Sequence, residues 1–391
     1  MKKICLISSN LLPVPNVKGG AIETIITNIL QEQEKQEKIE LTVVSIFDEE
    51  AYKESQKYSK TRFIYIKKNF LYYIIGTIYN ISNKLLKTNF NTYNTIVLNK
   101  IKKAKFDYIF AEGGHYESYN KFLKYFKKEQ LVLHLHHFAT SNSIIDSTFS
   151  KVVGVSKYVT DEFLKTSSIE KGYVLKNSID LKKFDKKISE TEYLELRNKY
   201  HISNNDFVII YCGRLIKEKG VLELVKAVKK IKNNQIKLLI VGSINFANGG
   251  VSEYTEILEK EISSCHDKVI LTGFIDNNEL YKYYNIADVM VIPSIWDEAA
   301  GLVCVEGMIS KKAIITTGTG GIKEYVGDNA VFVKNDNKLV NDIKEKILYL
   351  YNNPKILEKQ VNKGYKEAFK YNNQIYYRNL VKLIEKMEES K

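Results

Sequence analysis

Short apolar runs alternate with helical patterns from one end of the chain to the other, and this alternation limits the fold more than any single residue does. KICLIS (3–8), LTVVSIF (41–47), FIYI (63–66), DYIFAEG (107–113), LVLHL (131–135) and VVGVS (152–156) have the length and composition of buried strands. A second series follows: FVIIYCG (207–213), KLLIVG (237–242), KVILTG (268–273), DVMVIPS (288–294), AIITT (313–317) and AVFV (330–333). Between runs the period changes to that of helices. AIETIITNILQEQ (21–33) places Ile22, Ile25, Ile26 and Ile29 on one face, and VLELVKAVKKI (221–231) keeps its lysines on the other side. Strand–helix alternation builds parallel sheets covered on both faces. Two series predict two doubly wound α/β domains, joined by the polar segment around 177–205.

A chain of 391 residues, 44% hydrophobic, is long enough for two cores. Only four prolines and no low-complexity tract argue against long linkers. Cys5, Cys212, Cys265 and Cys304 show neither pairing nor metal-ligand spacing, which suits a reducing cytoplasm. The apolar run at the N-terminus is interrupted by Ser8, Ser9 and Asn10, so a first strand is expected there rather than a signal peptide. No run approaches the length of a membrane span.

The net charge of +13 is unevenly placed. Ten basic residues and no acid lie between Lys60 and Lys105, interleaved with eight aromatic residues. Such a stretch suits an anionic membrane surface, with Lys67, Lys68, Lys84 and Lys87 supplying charge and Tyr72 and Tyr73 supplying anchors. A solvated lysine-rich face and a nucleic-acid surface are the other readings; no reading element for nucleic acid accompanies the charge.

Ligands of open α/β sheets bind at the carboxyl ends of strands, so the segments that follow strands carry the candidate chemistry. GRLIKEKG places Arg214 and Lys219 between two glycines before a helix, a setting for a pyrophosphate; an exposed basic loop is the alternative. NVKGGA offers Gly19 and Gly20 for close backbone approach or simply for a tight turn. In WDEAAGLVCVE, Glu298 precedes a helix expected to begin near Gly301, and Glu306 lies inside it among apolar neighbours. A carboxylate so placed needs a partner, and a ribose diol supplies two donors; two surface glutamates on a polar face are the alternative. LVLHLHHF puts His134 and His136 on one face of a strand. Structural histidines, a zinc site and polar contact with a ligand all remain open for it, although no carboxylate or further histidine follows at short spacing. No D-x-D occurs, so Arg214, Lys219 and a helix terminus are the expected means of neutralising a diphosphate without metal.

Taken in order, these blocks resemble the retaining glycosyltransferases of the GT-B, family-4 type. The resemblance runs from Gly19-Gly20 and His136 through VVGVSKYVTDEF (152–163), YVLKNSIDLKKF (173–184), GRLIKEKG, LTGFIDNNELYKYYNIADVMVIPS and WDEAAGLVCVEGM to TGTGGIKEYV (317–326). Glu298 and Glu306 form its E-x7-E pattern. The chain departs from the family at Ser178, where Gly is usual, and at Ala299-Ala300, where a proline–aromatic pair is frequent. The segment LLPVPNVKGGAIE is most similar to enzymes of bacterial surface-polysaccharide and spore-coat type.

The resemblance implies two Rossmann-like domains facing a central cleft: residues 1–176 for the acceptor, 177–365 for the nucleotide sugar, and a final helix, 366–391, packing back on the first domain. It also implies roles. Arg214 and Lys219 hold the diphosphate, Glu306 takes the ribose, and Glu298 touches the donor sugar with the backbone of Ala300, Gly301 and Leu302. Gly273, Phe274 and Ile275 border the base. His136 and the Gly19-Gly20 loop face the transferred sugar. The expected activity is transfer of a hexose from a nucleotide diphosphate sugar, UDP-linked, to a lipid-linked glycan in cell-surface polysaccharide synthesis. No cofactor or divalent metal is expected. The expected location is cytoplasmic, peripheral to the inner face of the plasma membrane. A soluble or protein acceptor, and a non-catalytic coat or scaffold protein of the same fold, are the alternatives.

Overall fold

The computed structural model describes residues 1–243 and 253–389. It divides into two compact units, one of residues 1–178 with 373–391 and the other of residues 179–372.

The first unit is built on a seven-stranded, wholly parallel sheet: β1 (Lys2–Ile7), β2 (Ile39–Ile46), β3 (Thr61–Ile66), β4 (Tyr108–Ala111), β5 (Leu131–Leu135), β6 (Lys151–Gly154) and β7 (Lys171–Val174), in the order β3-β2-β1-β4-β5-β6-β7. Six of these strands are those that the apolar runs predict. β7 is the addition. Its sequence, KGYV, buries only Tyr173, so an edge strand with three exposed positions leaves no apolar run to read. Helix α1 (Ala21–Gln36) covers β1 and β2 through Ile25, Ile26, Ile29 and Leu30. Helix α2 (Phe70–Leu86) is the exception among the long helices, because none of its residues is buried.

The second unit repeats the plan with six parallel strands: β8 (Phe207–Cys212), β9 (Ile236–Val241), β10 (Val269–Gly273), β11 (Val289–Ile292), β12 (Ala313–Thr316) and β13 (Val331–Phe332). Their order is β10-β9-β8-β11-β12-β13. Strands buried on both faces read as continuous apolar runs rather than alternating ones, as IKLLIV and VMVI do. The helix of residues 221–229 buries Val221, Leu222, Leu224, Val225, Ala227 and Val228 and turns its lysines outward. Helix α3 (Leu302–Ile309) follows β11. It lies so close to that strand that a Cβ on Gly307 would come 2.6 Å from the Met290 sulfur.

The last helix, α4 (Asn373–Glu389), belongs to the first unit. Tyr376, Tyr377, Leu380, Leu383, Ile384 and Met387 enter the core that β1, β2 and α1 share, and the Tyr377 hydroxyl donates to Gln33. The boundary read from sequence at 365/366 therefore moves to 372/373. The helix of residues 354–368 completes the second unit first, with Ala368 and Tyr371 in its core.

Each sheet has one point at which successive strands are laid down to opposite sides: between β1 and β4 in the first unit, and between β8 and β11 in the second. Loops leaving neighbouring strands diverge there and open a crevice. Both groups of candidate residues lie at these two points.

Candidate functional site

In the second unit the loops after β8 and β11 are stitched together by their backbones. The amides of Ile295 and Trp296 donate to the carbonyl of Glu218 at 3.0 and 3.3 Å. Gly220 makes the approach possible: its φ is +66°, and a Cβ there would stand 2.0 Å from the Pro293 carbonyl oxygen. A third loop, after β12, closes over the same place. The Gly321 amide donates to the Glu298 carbonyl at 2.7 Å, and the hydroxyls of Thr317 and Thr319 donate to the carbonyls of Ser294 and Trp296.

This backing fixes one carboxylate oxygen. Oε1 of Glu298 accepts from the Lys219 ammonium at 2.5 Å and from the buried Ser294 hydroxyl at 2.7 Å. Glu298 and Lys219 both remain partly exposed. Arg214, by contrast, is exposed, and its guanidinium hydrogen-bonds to no described residue; its carbonyl is held by the Tyr211 hydroxyl at 2.8 Å. One cation of the pair is thus already engaged and the other is available.

Helix α3 begins beside them. Gly301 is its N-cap, and no side chain caps the first amides, so Leu302 and its successors present free N–H groups at the positive end of the helix. Gly301 is pressed against the helix of residues 322–326, where a Cβ would come 3.0 Å from that of Tyr325. Ala300 and Leu302 are half-buried at the edge of the same core. Within α3, Glu306 is only partly exposed and accepts one hydrogen bond, 2.8 Å from the Tyr284 hydroxyl. Burial pushes its carboxyl up to about 7, against the opposing pull of that bond and of Lys183. No described residue pairs with its second oxygen. Gly273, at φ +78° with open space around it, ends β10, exposed Phe274 follows it, and Ile275 packs on the core.

The first unit gathers a different set. Gly19 and Gly20 take φ of +82° and +100° and lead into α1. A Cβ on Gly20 would collide with Glu23 at 2.1 Å. Glu23 is buried, accepts from Ser9 at 2.7 Å, and has its carboxyl raised by burial. Across the switch point, β4 is followed directly by Glu112, whose Oε2 lies 2.7 Å from both His134 Nδ1 and His136 Nε2. All three side chains are buried. Burial raises the Glu112 carboxyl, but His134 and His136, by charge and hydrogen bonding, more than reverse this and hold it well below the usual range. Burial, with His134 beside it, pushes the His136 imidazole down. Near neutral pH the arrangement is a carboxylate accepting from the Nε2–H of a neutral His136, whose Nδ1 is then an acceptor.

The sequence offered no carboxylate near the histidines; the fold brings Glu112 to them from the adjacent strand. Among the described residues, only these three place three metal-donor atoms within 4.8 Å of one another. The nitrogens nevertheless stand at hydrogen-bond distance from Glu112, whereas ligands around a tetrahedral zinc lie about 3.3 Å apart. Glu23, Glu112, Lys183, Tyr284 and Ser294 all escaped the sequence reading. Only Glu23, three residues after the paired glycines, carried a local signal, as an acid in an apolar helical pattern.

The basic stretch is divided by the structure. Lys84, Lys87 and Tyr73 are exposed, and Lys67 lies over the Phe47 ring at 4.8 Å. The Lys68 ammonium donates to the Asn10 carbonyl at 2.6 Å, and Tyr72 turns half inward.

Residues 192–367 match the family described as glycosyl transferases group 1. Among curated relatives, the chain is 31% identical over 179 residues to an uncharacterized glycosyltransferase of Methanocaldococcus jannaschii, covering 45% of this chain and 44% of that one. It is 32% identical over 136 residues to the lipopolysaccharide 1,2-N-acetylglucosaminetransferase of Salmonella typhimurium, covering 34% and 36%. The chain therefore spans less than half the length of these two relatives. Over 335 residues, 83% of each chain, it is 25% identical to spore coat protein SA of Bacillus subtilis. Two solved structures share the fold along nearly the whole chain. A glycosyltransferase from Rickettsia africae has a TM-score of 0.77 at 19% identity and full coverage of both chains. Anabaena HepE in complex with UDP-glucose has a TM-score of 0.73 at 17% identity, covering 99% of this chain and 100% of that one.

Proposed function

We propose that this chain, which carries a group 1 glycosyltransferase domain on a GT-B fold, is a retaining enzyme of the family-4 type. It moves a hexose from a UDP-linked donor to a glycan acceptor. The observation that carries the reading is Glu306: a carboxylate set among apolar residues in α3, with one oxygen on Tyr284 and the other without a described partner. A ribose diol would donate to it and replace the water that burial removes. The uncapped start of α3 and the exposed Arg214 then fall to the diphosphate, with Lys219 shared between the phosphate and Glu298. Gly273, Phe274 and Ile275 border the base. Glu298, already oriented by Ser294, accepts from the hydroxyls of the transferred sugar.

Transfer breaks the bond between the anomeric carbon and the diphosphate oxygen and forms a bond from the acceptor oxygen on the same face. The acceptor proton passes to the departing diphosphate. Arg214, Lys219 and the α3 amides stabilise the charge that develops on the leaving group, the largest contribution such preorganised donors make. No divalent metal enters this scheme. The relatives' names support a glycan acceptor, and we assign a lipid-linked one, in surface-polysaccharide synthesis on the cytoplasmic side of the membrane.

A donor panel with released nucleotide as readout tests the proposal. UDP-hexose turnover that falls at least tenfold in Glu306→Ala and Arg214→Ala supports it. Unchanged turnover in both variants removes the site. The likeness to a spore coat protein favours one second reading, a coat protein that binds nucleotide without transfer; tight UDP binding with no turnover on any donor or acceptor would establish it.

A further inference from the structure

Helix α2 takes no part in the chemistry above, and its surface is inverted. Leu71, Ile74, Ile78, Ile81 and Leu85 recur three and four residues apart and so form one stripe. A surface helix ordinarily turns such a stripe into the core. Here the five residues are 59, 40, 57, 53 and 77% exposed, and Phe70 and Leu86 extend the patch at its ends with 82 and 72%.

The opposite side of the helix is the one that is fastened. Tyr79 stacks on Phe90 with ring centroids 4.9 Å apart. The Asn83 side chain donates to the Phe90 carbonyl and accepts from the Phe90 amide, each at 2.9 Å. Asn69 caps the first turn at the Tyr72 amide, and Lys68 is tied to Asn10. The apolar stripe is therefore held outward by its own anchoring.

Charge selects the partner. No Asp or Glu lies between residues 60 and 105, and exposed Lys67 precedes the helix while Lys84 and Lys87 close it. Among the described residues no helix is long and apolar enough to cross a membrane. An anionic bilayer surface offers both complements at once: a hydrocarbon boundary for the stripe and negative headgroups for the lysines.

We propose that α2 is an interfacial helix that lies in the plane of an anionic membrane with Leu71, Ile74, Ile78, Ile81 and Leu85 inserted below the headgroups. This differs from the expectation drawn from sequence, which put charge first. Lys68 is engaged and Tyr72 turned half inward, so insertion of the stripe carries the attachment and the remaining lysines select the lipid.

Co-sedimentation with vesicles of phosphatidylglycerol and phosphatidylcholine, or of phosphatidylcholine alone, tests the proposal on the full chain. The wild type should bind the anionic vesicles and retain much of that binding in 0.5 M salt, beyond the range of surface charge alone. Ile78→Glu with Ile81→Glu should weaken binding at least tenfold. Both positions are exposed, so circular dichroism should show the fold intact. Ile78→Trp should be quenched by lipids brominated near the headgroup, relative to wild type. Binding that salt abolishes, without quenching at position 78, would overturn insertion and leave a purely electrostatic contact. Absence of vesicle binding with a concentration-dependent dimer that the double Glu variant dissolves would also overturn it, and would assign the stripe to a second copy of the chain.

Discussion

Glu112 directly follows β4 and Glu306 lies in the helix after β11, the strands on the corresponding side of each sheet's switch point, yet the two carboxyls are left in opposite protonation regimes. Both lose water. Glu112 meets two imidazoles at 2.7 Å and is held ionised well below the usual range. Glu306 meets one tyrosine hydroxyl and the weaker pull of Lys183, and burial raises it to about 7. Burial sets the cost of the charge, and the partners decide whether the charge is kept. In the first site the carboxylate finds its partners within the protein, although neither ring nitrogen of buried His134 makes a well-formed hydrogen bond. The second is left incomplete, which is the condition of a site that takes a ligand.

The contrast is broken most severely at Glu112. Removing the acceptor of a buried hydrogen bond leaves its donor unpaired and costs about 1–3 kcal/mol, so Glu112→Ala, which strands the His136 Nε2–H, should lower stability by that order in urea unfolding at pH 7. The sign follows from a depressed carboxyl: its contribution is present above the ordinary carboxylate range and is lost as pH falls below it. The depressed His136 works in the same direction, losing stability as pH falls below the ordinary histidine range. Acid should therefore open β4 and β5 early, which hydrogen exchange at their amides would detect.

Glu306 should respond in the reverse sense. A raised carboxyl stabilises the fold while it is protonated, and that contribution fades as pH rises through about 7. Glu306→Gln mimics the protonated form, so it should raise stability at pH 8 by up to roughly 3 kcal/mol and change little at pH 4. Thermal unfolding at the two pH values measures the difference. UDP affinity should show the mirror image, because the ribose needs the ionised acceptor: wild-type binding weakens as pH falls below about 7, and the variant binds weakly throughout.

The two cations sharpen the comparison at the level of one site. Arg214→Ala and Lys219→Ala should each weaken UDP binding by about 1.5–3 kcal/mol, read by calorimetry. Both changes should lower turnover, and Lys219→Ala should lower it further than Arg214→Ala does, because it also frees Glu298. The smallest effect is expected from chelation: EDTA should leave transfer unchanged. Loss of activity with rescue by manganese or zinc would give Glu112, His134 and His136 a ligand's role and end the contrast.

How much of this was legible depended on the range of the physics involved. Twelve of the thirteen strands announce themselves as apolar runs, the central ones because a strand buried on both faces must be apolar throughout; KGYV does not, because it buries one residue in four. The fold class followed from that alternation alone. The loops were legible for the same local reason: GRLIKEKG and DEAAG must follow strands and open helices, whatever lies around them.

Partners were not legible. Glu298 could be named, but its hold on Lys219 and Ser294 spans 79 and 4 residues, and Glu306 reaches Tyr284 across 22. Glu112 carries no local mark and finds His136 24 residues later only because β4 and β5 are neighbours in the sheet. The stripe of α2 divides the same way. Its spacing is written in the sequence, and identical spacing would describe a core helix. Only the fastening of Tyr79 and Asn83 to the loop at Phe90 decides that it points outward. Periodicity is set between residues one turn apart, so the chain alone determines it. Which charge is met, and which face is covered, is set by contacts between distant segments, and those exist only once the sheets have assembled.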